Sequence, residues 1–163
     1  MPKPDDSPPS PLARALGRIP SGLFLVTTLD AGRPVGFVGS FVQQVGFEPP
    51  TVCVAVGKAR GPLAALRASG AFGISILDAP SGGVMGRFFR KLDPPATPFD
   101  GLQLVRARTG SPLIGEALAW LDCELAGEHE LADHVAVFGR VVDGALLRDG
   151  EPSVHLRKNG LSY

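Results

Sequence analysis

The chain has 163 residues, with sixteen Lys and Arg balanced by sixteen Asp and Glu. That length suits one compact domain, and the zero net charge excludes a bulk electrostatic pull toward nucleic acid or an acidic membrane. No apolar run approaches the ~18 residues of a membrane-spanning helix, and the polar start MPKPDDSPPSP lacks the apolar centre of a secretory signal. Residues 1–11 are expected to form a disordered tail before one domain over 12–163, working in the cytoplasm without nucleic-acid or membrane partners. A neutral, apolar-leaning monomer is poorly soluble, which points to a second subunit covering part of its apolar surface.

In PLARALGRI, Leu12, Leu16 and Ile19 fall at helical spacing and predict a short helix stopped by Pro20. SGLFLVTTL is rich in β-branched and aromatic residues and predicts a strand. DAGRP supplies a turn, with Gly32 able to take a positive φ, and VGFVGSFVQQV returns as the second strand of a hairpin. The double proline of FEPPTVCVAV delays the next strand to about Thr51. GPLAALRASG predicts a helix with Pro62 in its first turn and Gly70 just past its end. AFGISIL predicts a strand, SGGVMGRFFRKL a glycine-weakened helix, DPPATPFDG a loop and LQLVRA a short strand.

The last third is strongly β. In LAWLDCEL, Leu121, Cys123 and Leu125 share one face; Asp122 and Glu124 share the other, read as a solvent face. In HVAVFGRVVDGALL, Val135, Val137 and Val141 oppose Ala136 and Phe138, so this strand needs apolar cover on both sides. SVHLRK is expected to close the set. Six to eight strands in hairpins, with two or three short helices, predict a mainly β protein: a small antiparallel barrel with helical insertions.

Cys53 and Cys123 lie in strand-like runs without C-x-x-C spacing, which predicts two buried free thiols. His129, His134 and His155 show no metal-ligand spacing, and no nucleophile elbow, P-loop or dinucleotide fingerprint occurs; no metal site is expected. An acid–base pair at Asp122 and Glu124 competes with the simpler reading of an exposed strand face. Anion binding is the better lead. Ser40 lies on a glycine-loosened strand, Lys58 and Arg60 in a loop before a helix, and Arg87, Arg90 and Lys91 in GRFFRK. Unpaired N–H groups at such a loop, joined by cations, suit a phosphate; the competing reading is solvated surface charge. His134, at the mouth of a buried strand, is either a turn histidine bonded to its own backbone or part of a site.

Seven segments occur in order: ALGRIPSGLFLVTT, SFVQQVGFEPP, AVGKARG, RFFRK with PFDG, SPLIGEALAWLDCEL, ADHVAVFGRV and VHLRKNGLSY. Together, over about Ala15 to Tyr163, they resemble the flavin reductase-like family of FMN-binding split barrels, and most of all the flavin reductase module of flavodiiron-type diflavin flavoproteins. The resemblance implies a six-stranded split β-barrel and a homodimer with flavin near the subunit interface. It also implies hydride transfer from NADH or NADPH to FMN, with FAD as the alternative flavin, and onward transfer to an acceptor such as a monooxygenase.

By position, the resemblance implies that Ser40, Phe41, Val42 and Gln43 line the isoalloxazine and ribityl chain. Lys58, Ala59 and Arg60 would hold the phosphate, with Arg87, Phe88 and Phe89 on a helix beside it. His134 matches the histidine of the family's Gly-Asp-His motif, expected to act catalytically near the nicotinamide or flavin ring. Arg157 and Tyr163 match the segment that closes over the site. Three departures stand out. Gly39 replaces a frequent Thr or Ser, the phosphate loop reads Ala59-Arg60-Gly61 in place of Ser and Thr, and Ala132 precedes Asp133-His134 in place of Gly. A non-catalytic flavin binder or electron carrier on the same barrel is the alternative reading; a barrel holding haem through His129 or His155 is a third.

Overall fold

The structure, a computed structural model, describes residues 8–161. Most of the expected tail (residues 1–7) and Tyr163 lie outside the described residues. Helix α1 (Pro11–Leu16) is capped by Ser10, whose hydroxyl accepts the Ala13 N–H at 3.2 Å. There follow β1 (Ser21–Gly22), β2 (Phe24–Asp30), β3 (Arg33–Gly39), β4 (Val42–Phe47), β5 (Pro50–Gly57), α2 (Pro62–Ser69), β6 (Ala71–Ile76) and α3 (Gly82–Arg87). The chain continues through β7 (Leu104–Arg106), β8 (Pro112–Ile114), β9 (Ala119–Glu130), β10 (His134–Leu146) and β11 (Val154–His155).

Seven strands form one antiparallel sheet in the order β3-β2-β6-β9-β10-β5-β4. Its two edges, β3 and β4, are separated in sequence only by Ser40 and Phe41. Laid flat, seven strands would set those edges about 29 Å apart at the usual strand spacing. Three Cα steps span at most about 11 Å. The sheet must therefore curl until the end of β3 reaches the start of β4, which makes it a barrel left unpaired between these strands, with a seam at Ser40–Phe41.

The sequence predicts a single return strand through VGFVGSFVQQV; the structure breaks it in two at this seam. β-favouring residues run on across the break, with Phe41 and Val42 directly behind Ser40, so the composition conceals it. The break shows in the hydrogen bonds: the Phe41 carbonyl accepts the Ala55 N–H at 2.9 Å, on the far strand. The β2–β3 hairpin turns through Ala31 (φ 47°) and Gly32 (φ 79°), a pair of left-handed residues that matches the twist of the flanking strands.

Two cores fill the fold. Phe72, Ile74, Val54, Val56, Val135 and Val137 pack inside the barrel with Leu63 and Leu66 of α2. Leu25, Leu77, Ile114, Phe99 and Val84 of α3 pack on the outer face of β2. The two positions flanking α2 behave as expected: Pro62 opens it and Gly70 ends it at φ 68°. Helix α3 stops at Arg87, short of the expected Leu92, and the segment from Phe88 continues as turns.

Two expectations need correction. Asp122 does not face solvent: it is fully buried, and its carboxylate accepts the Thr109 N–H at 2.7 Å and the Thr109 hydroxyl. The loop before β8 covers that face and supplies the donors a buried carboxylate requires. SVHLRK does not join the barrel sheet: β11 pairs with β1, setting Ser21 opposite His155 and Gly22 opposite Val154.

Asp78 and Arg148 clip the C-terminal loop to the end of β6. Arg148 donates to both Asp78 oxygens, at 2.6 and 3.0 Å, and to the carbonyls of Ala117 and Glu116. The Arg148 hydrogen bond first, and those from Ser81 after it, hold the Asp78 carboxyl at about 2, below its ordinary 3.8. A carboxyl depressed by folding stabilises the fold above its unfolded value and loses that contribution as pH falls through the folded one. Asp78→Asn is therefore expected to flatten the drop in denaturation midpoint between pH 3.8 and about 2 that the parent protein shows. Identical pH profiles would remove the clip from the account.

Candidate functional site

Two cavities meet at the seam. The larger, about 830 Å³, is walled by apolar side chains of β2, β4, β5, β6 and β11, with Ile19 and Pro20 at its rim. The second, about 570 Å³, holds Arg60, Arg157 and Lys158 beside Met85 and Phe89. Ser40 and Arg157 line both.

Ser40 is 6% exposed, and its hydroxyl has no hydrogen-bond partner among the described residues. The Arg157 Nε is likewise buried and unpartnered. A buried donor left unpaired costs about 1–3 kcal/mol, so two of them at one junction mark a place where a ligand's acceptor atoms belong. The Arg157 guanidinium lies 4.4 Å from the Phe41 ring centroid, a cation–π contact. The His134 ring meets Phe41 edge-on, 5.7 Å between centroids. Phe41 thus stands between Arg157 on one side and His134 on the other.

His134 is placed by pairing. It opens β10 opposite Gly57, the last residue of β5. A Cβ at Gly57 would lie 3.9 Å from the imidazole Nε2 and 3.6 Å from Arg60 Cγ, ordinary contact distances that place both side chains over this end of β5. The imidazole Nδ1 lies 2.8 Å from the Asp133 carboxylate, whose pKa is held down mainly by that hydrogen bond. His134 is 16% exposed and backs Phe41; it lines neither cavity.

The other sequence-named residues divide cleanly. Phe41, Val42 and Gln43 line the large cavity. Arg60 lines the second cavity, 5.4 Å over the Phe37 ring. Lys58 pairs with Glu130 at 3.1 Å, and it and the exposed Ala59 line neither cavity. Arg87 donates to the Asp100 carbonyl, and Phe88 packs edge-on against Phe99 in the outer core. Of that trio only Phe89, largely exposed, reaches the second cavity.

Sequence reasoning missed the walls supplied by Phe24, Ile74, Leu121 and Val154, and the cation Lys158. The β1–β11 pairing that assembles them leaves no periodic signal. It also missed the place of Cys53, half-buried on the wall of the large cavity, its thiol pushed up by burial. Cys123 is buried in the core, pushed up to about 12 by the same cause. Among the described residues no cluster of three His, Cys, Asp or Glu side chains is placed to hold a metal, and no helix is long and apolar enough to cross a membrane.

The site is thus an apolar chamber joined, through the unpartnered Ser40 and Arg157 groups, to a cation-lined one. The flavin reductase-like domain model matches residues 16–160. The chain is 35% identical over 156 residues to diflavin flavoprotein A 1 of Synechocystis; the match takes in 94% of this chain and 27% of that protein, so the chain spans about a quarter of it. It is 32% identical over 142 residues to the flavin-dependent monooxygenase reductase subunit HsaB of Rhodococcus jostii, across 87% of this chain and 71% of that one. The structure superposes on the NADH:FAD oxidoreductase SgcE6 of Streptomyces globisporus with a TM-score of 0.81 and 27% identity, across 94% and 95% of the two chains. That oxidoreductase has also been solved with NAD and FAD fragments. The chain belongs to the flavin reductase-like family of oxidoreductases, and its fold is that family's split barrel.

Proposed function

We propose that this chain reduces FMN with NADH or NADPH at the seam and passes the electrons to a separate acceptor, in the manner of the reductase half of a two-component monooxygenase. The observation that carries this reading is the junction of the two cavities, where Ser40 Oγ and Arg157 Nε are buried without partners. The residues fit a flavin: an apolar chamber of about 830 Å³ for the ring, two unpaired donors for its acceptor edge or ribityl oxygens, and Arg60 for the phosphate. When bound, the flavin supplies the two-electron chemistry between the nicotinamide and the acceptor.

The protein's share is placement. The walls of the large cavity keep water from the reacting faces. Ser40 and the backbone that follows it orient the ring, and Arg60 anchors the tail. Asp133 holds the His134 imidazole by its Nδ1, and His134 in turn props Phe41, so we assign His134 as a positioning residue for this reaction. Names of relatives favour a monooxygenase-type acceptor. A homodimer is supported by β4, an edge strand whose Phe47 is 88% exposed with Val45 beside it. A reducing cytoplasm suits the two free thiols.

Adding NADH or NADPH to the protein with FMN, without oxygen, is expected to bleach the flavin's visible absorbance far faster than in protein-free controls. Equal rates would overturn the reading, and yellow protein that nicotinamide leaves unbleached would favour an electron carrier. His134→Ala is expected to lower kcat about 10- to 100-fold, as a small misplacement of the wall would, with little change in FMN affinity. An unchanged kcat would remove His134 from the machinery.

A further inference from the structure

The thiol of Cys53 stands on the wall of the large cavity and has no part in the reaction proposed above. Strand β5 alternates around it. Val52, Val54 and Val56 pack into the barrel core, while Thr51, Cys53 and Ala55 form the other row, and all three line the cavity. Cys53 is the middle of that row, half-buried, with Gln43 of β4 directly opposite on the same wall. A thiol that serves only packing is closed off, as Cys123 is at 0% exposed. Cys53 instead opens onto a chamber of about 830 Å³.

The same chamber holds a donor without an acceptor. Ser40 is 6% exposed, its hydroxyl is unpartnered among the described residues, and it lines this cavity. One backbone bond sets its place relative to the thiol: the carbonyl of the next residue, Phe41, accepts the Ala55 N–H at 2.9 Å. Ala55 follows Cys53 in the cavity row, two residues or roughly 7 Å along the strand. A donor and a thiol at that spacing suit a small planar molecule with a carbonyl oxygen at one end and an electron-poor carbon three bonds from it. The chiefly apolar walls favour an uncharged molecule, because an ion would lose its hydration there.

We propose that Cys53 is a covalent modification site for flat, uncharged α,β-unsaturated carbonyl compounds that occupy the large cavity in place of flavin. The carbonyl oxygen accepts a hydrogen bond from Ser40. The sulfur bonds to the β-carbon of the double bond, the π electrons move to the α-carbon, and the thiol proton ends there. One S–C and one C–H bond form, the S–H bond and the π bond break, nothing leaves, and no oxidant or reductant is consumed. Burial raises the Cys53 pKa and keeps it a neutral thiol. Reagents that meet it only by collision therefore react slowly, since the thiolate is the nucleophile. A molecule held against it gains from proximity. Labelling needs the cavity alone, and only the competition with FMN rests on the flavin reductase reading.

The test is labelling of the full chain with N-phenylmaleimide, an uncharged two-ring compound of this class, followed by mass spectrometry of the intact protein and its peptides. One adduct is expected, on Cys53, at a rate that saturates as reagent concentration rises, because binding precedes the bond. Cys53→Ser is expected to remove it, and thermal denaturation checks the folding of each variant. Ser40→Ala is expected to raise the half-saturating concentration about 2- to 10-fold, the worth of one hydrogen bond, while labelling by methyl methanethiosulfonate, which lacks the carbonyl, stays within about twofold. FMN is expected to slow labelling in proportion to its occupancy, and the adduct to bind FMN at least ~10-fold more weakly. A rate that stays linear in reagent, an adduct elsewhere, or equal effects of Ser40→Ala on both reagents would overturn the assignment. So would labelling that FMN leaves untouched while FMN is still turned over. Saturating labelling beside FMN that neither protects nor bleaches would sink the reductase reading alone.

Discussion

Arg60→Gln is expected to weaken FMN binding about 10- to 150-fold while leaving riboflavin within about threefold, because only FMN carries a phosphate. The expectation comes from placement. Arg60 lines the cation-bearing cavity, with its guanidinium over the Phe37 ring. Lys58, two residues earlier, is bonded to Glu130 and lines neither cavity. Lys58→Gln is therefore expected to leave FMN affinity within about threefold, the size of an ordinary surface substitution. Fluorescence titration of both flavins against both variants checks this. Equal loss for FMN and riboflavin in Arg60→Gln would mean that the side chain shapes the pocket and does not hold a phosphate.

Gly160→Ala is the second large effect, and it acts through one methyl group at the edge of the site. The new Cβ would sit 2.2 Å from Leu16 Cβ and 2.7 Å from the Gly17 nitrogen. Backbone cannot move aside as a flexible side chain does, so α1 and the C-terminal segment must separate. A loss of about 1–3 kcal/mol is expected, as for other overpacked contacts. Because the same segment carries Arg157 and Lys158, FMN affinity should fall with it. Gly86→Ala is the control: a Cβ there meets nothing within 4 Å, and alanine favours the helix. A denaturant series on both variants, followed by flavin titration, decides the matter. A Gly160→Ala protein as stable and as tight as its parent would show that the close approach is not needed.

Much of the fold is legible in the sequence. The hairpin at Asp30–Arg33 follows from turn chemistry, and α2 from a proline at its start and a glycine at its end. The doubly apolar pattern of β10 correctly demands cover on both sides, and Val135, Ala136 and Val137 are all buried. What stays hidden depends on neighbours distant along the chain. Asp122 reads as a solvent residue until Thr109 is seen to cover it. The seam at Ser40–Phe41 is invisible because β-favouring residues continue through both halves, and only the sheet order shows that they lie on opposite edges.

The site is legible in the same uneven way. Motif resemblance points to Ser40, Arg60 and Arg157, and these do converge on the two cavities. It points equally to Lys58, Arg87 and Phe88, which the structure engages with Glu130, the Asp100 carbonyl and Phe99. Residue type and order do not say which of these cations line a cavity. The β1–β11 contact, which adds Ile19, Val154 and Lys158 to the cavity walls, comes from two-residue strands too short to leave a pattern.

The side chains of Ser40 and Arg157 belong to both chambers at once. FMN reaching into both and a nicotinamide admitted beside it would share that guanidinium: if one repositions it, the grip on the other changes by some factor. Thermodynamic reciprocity requires the second ligand to return that same factor to the first.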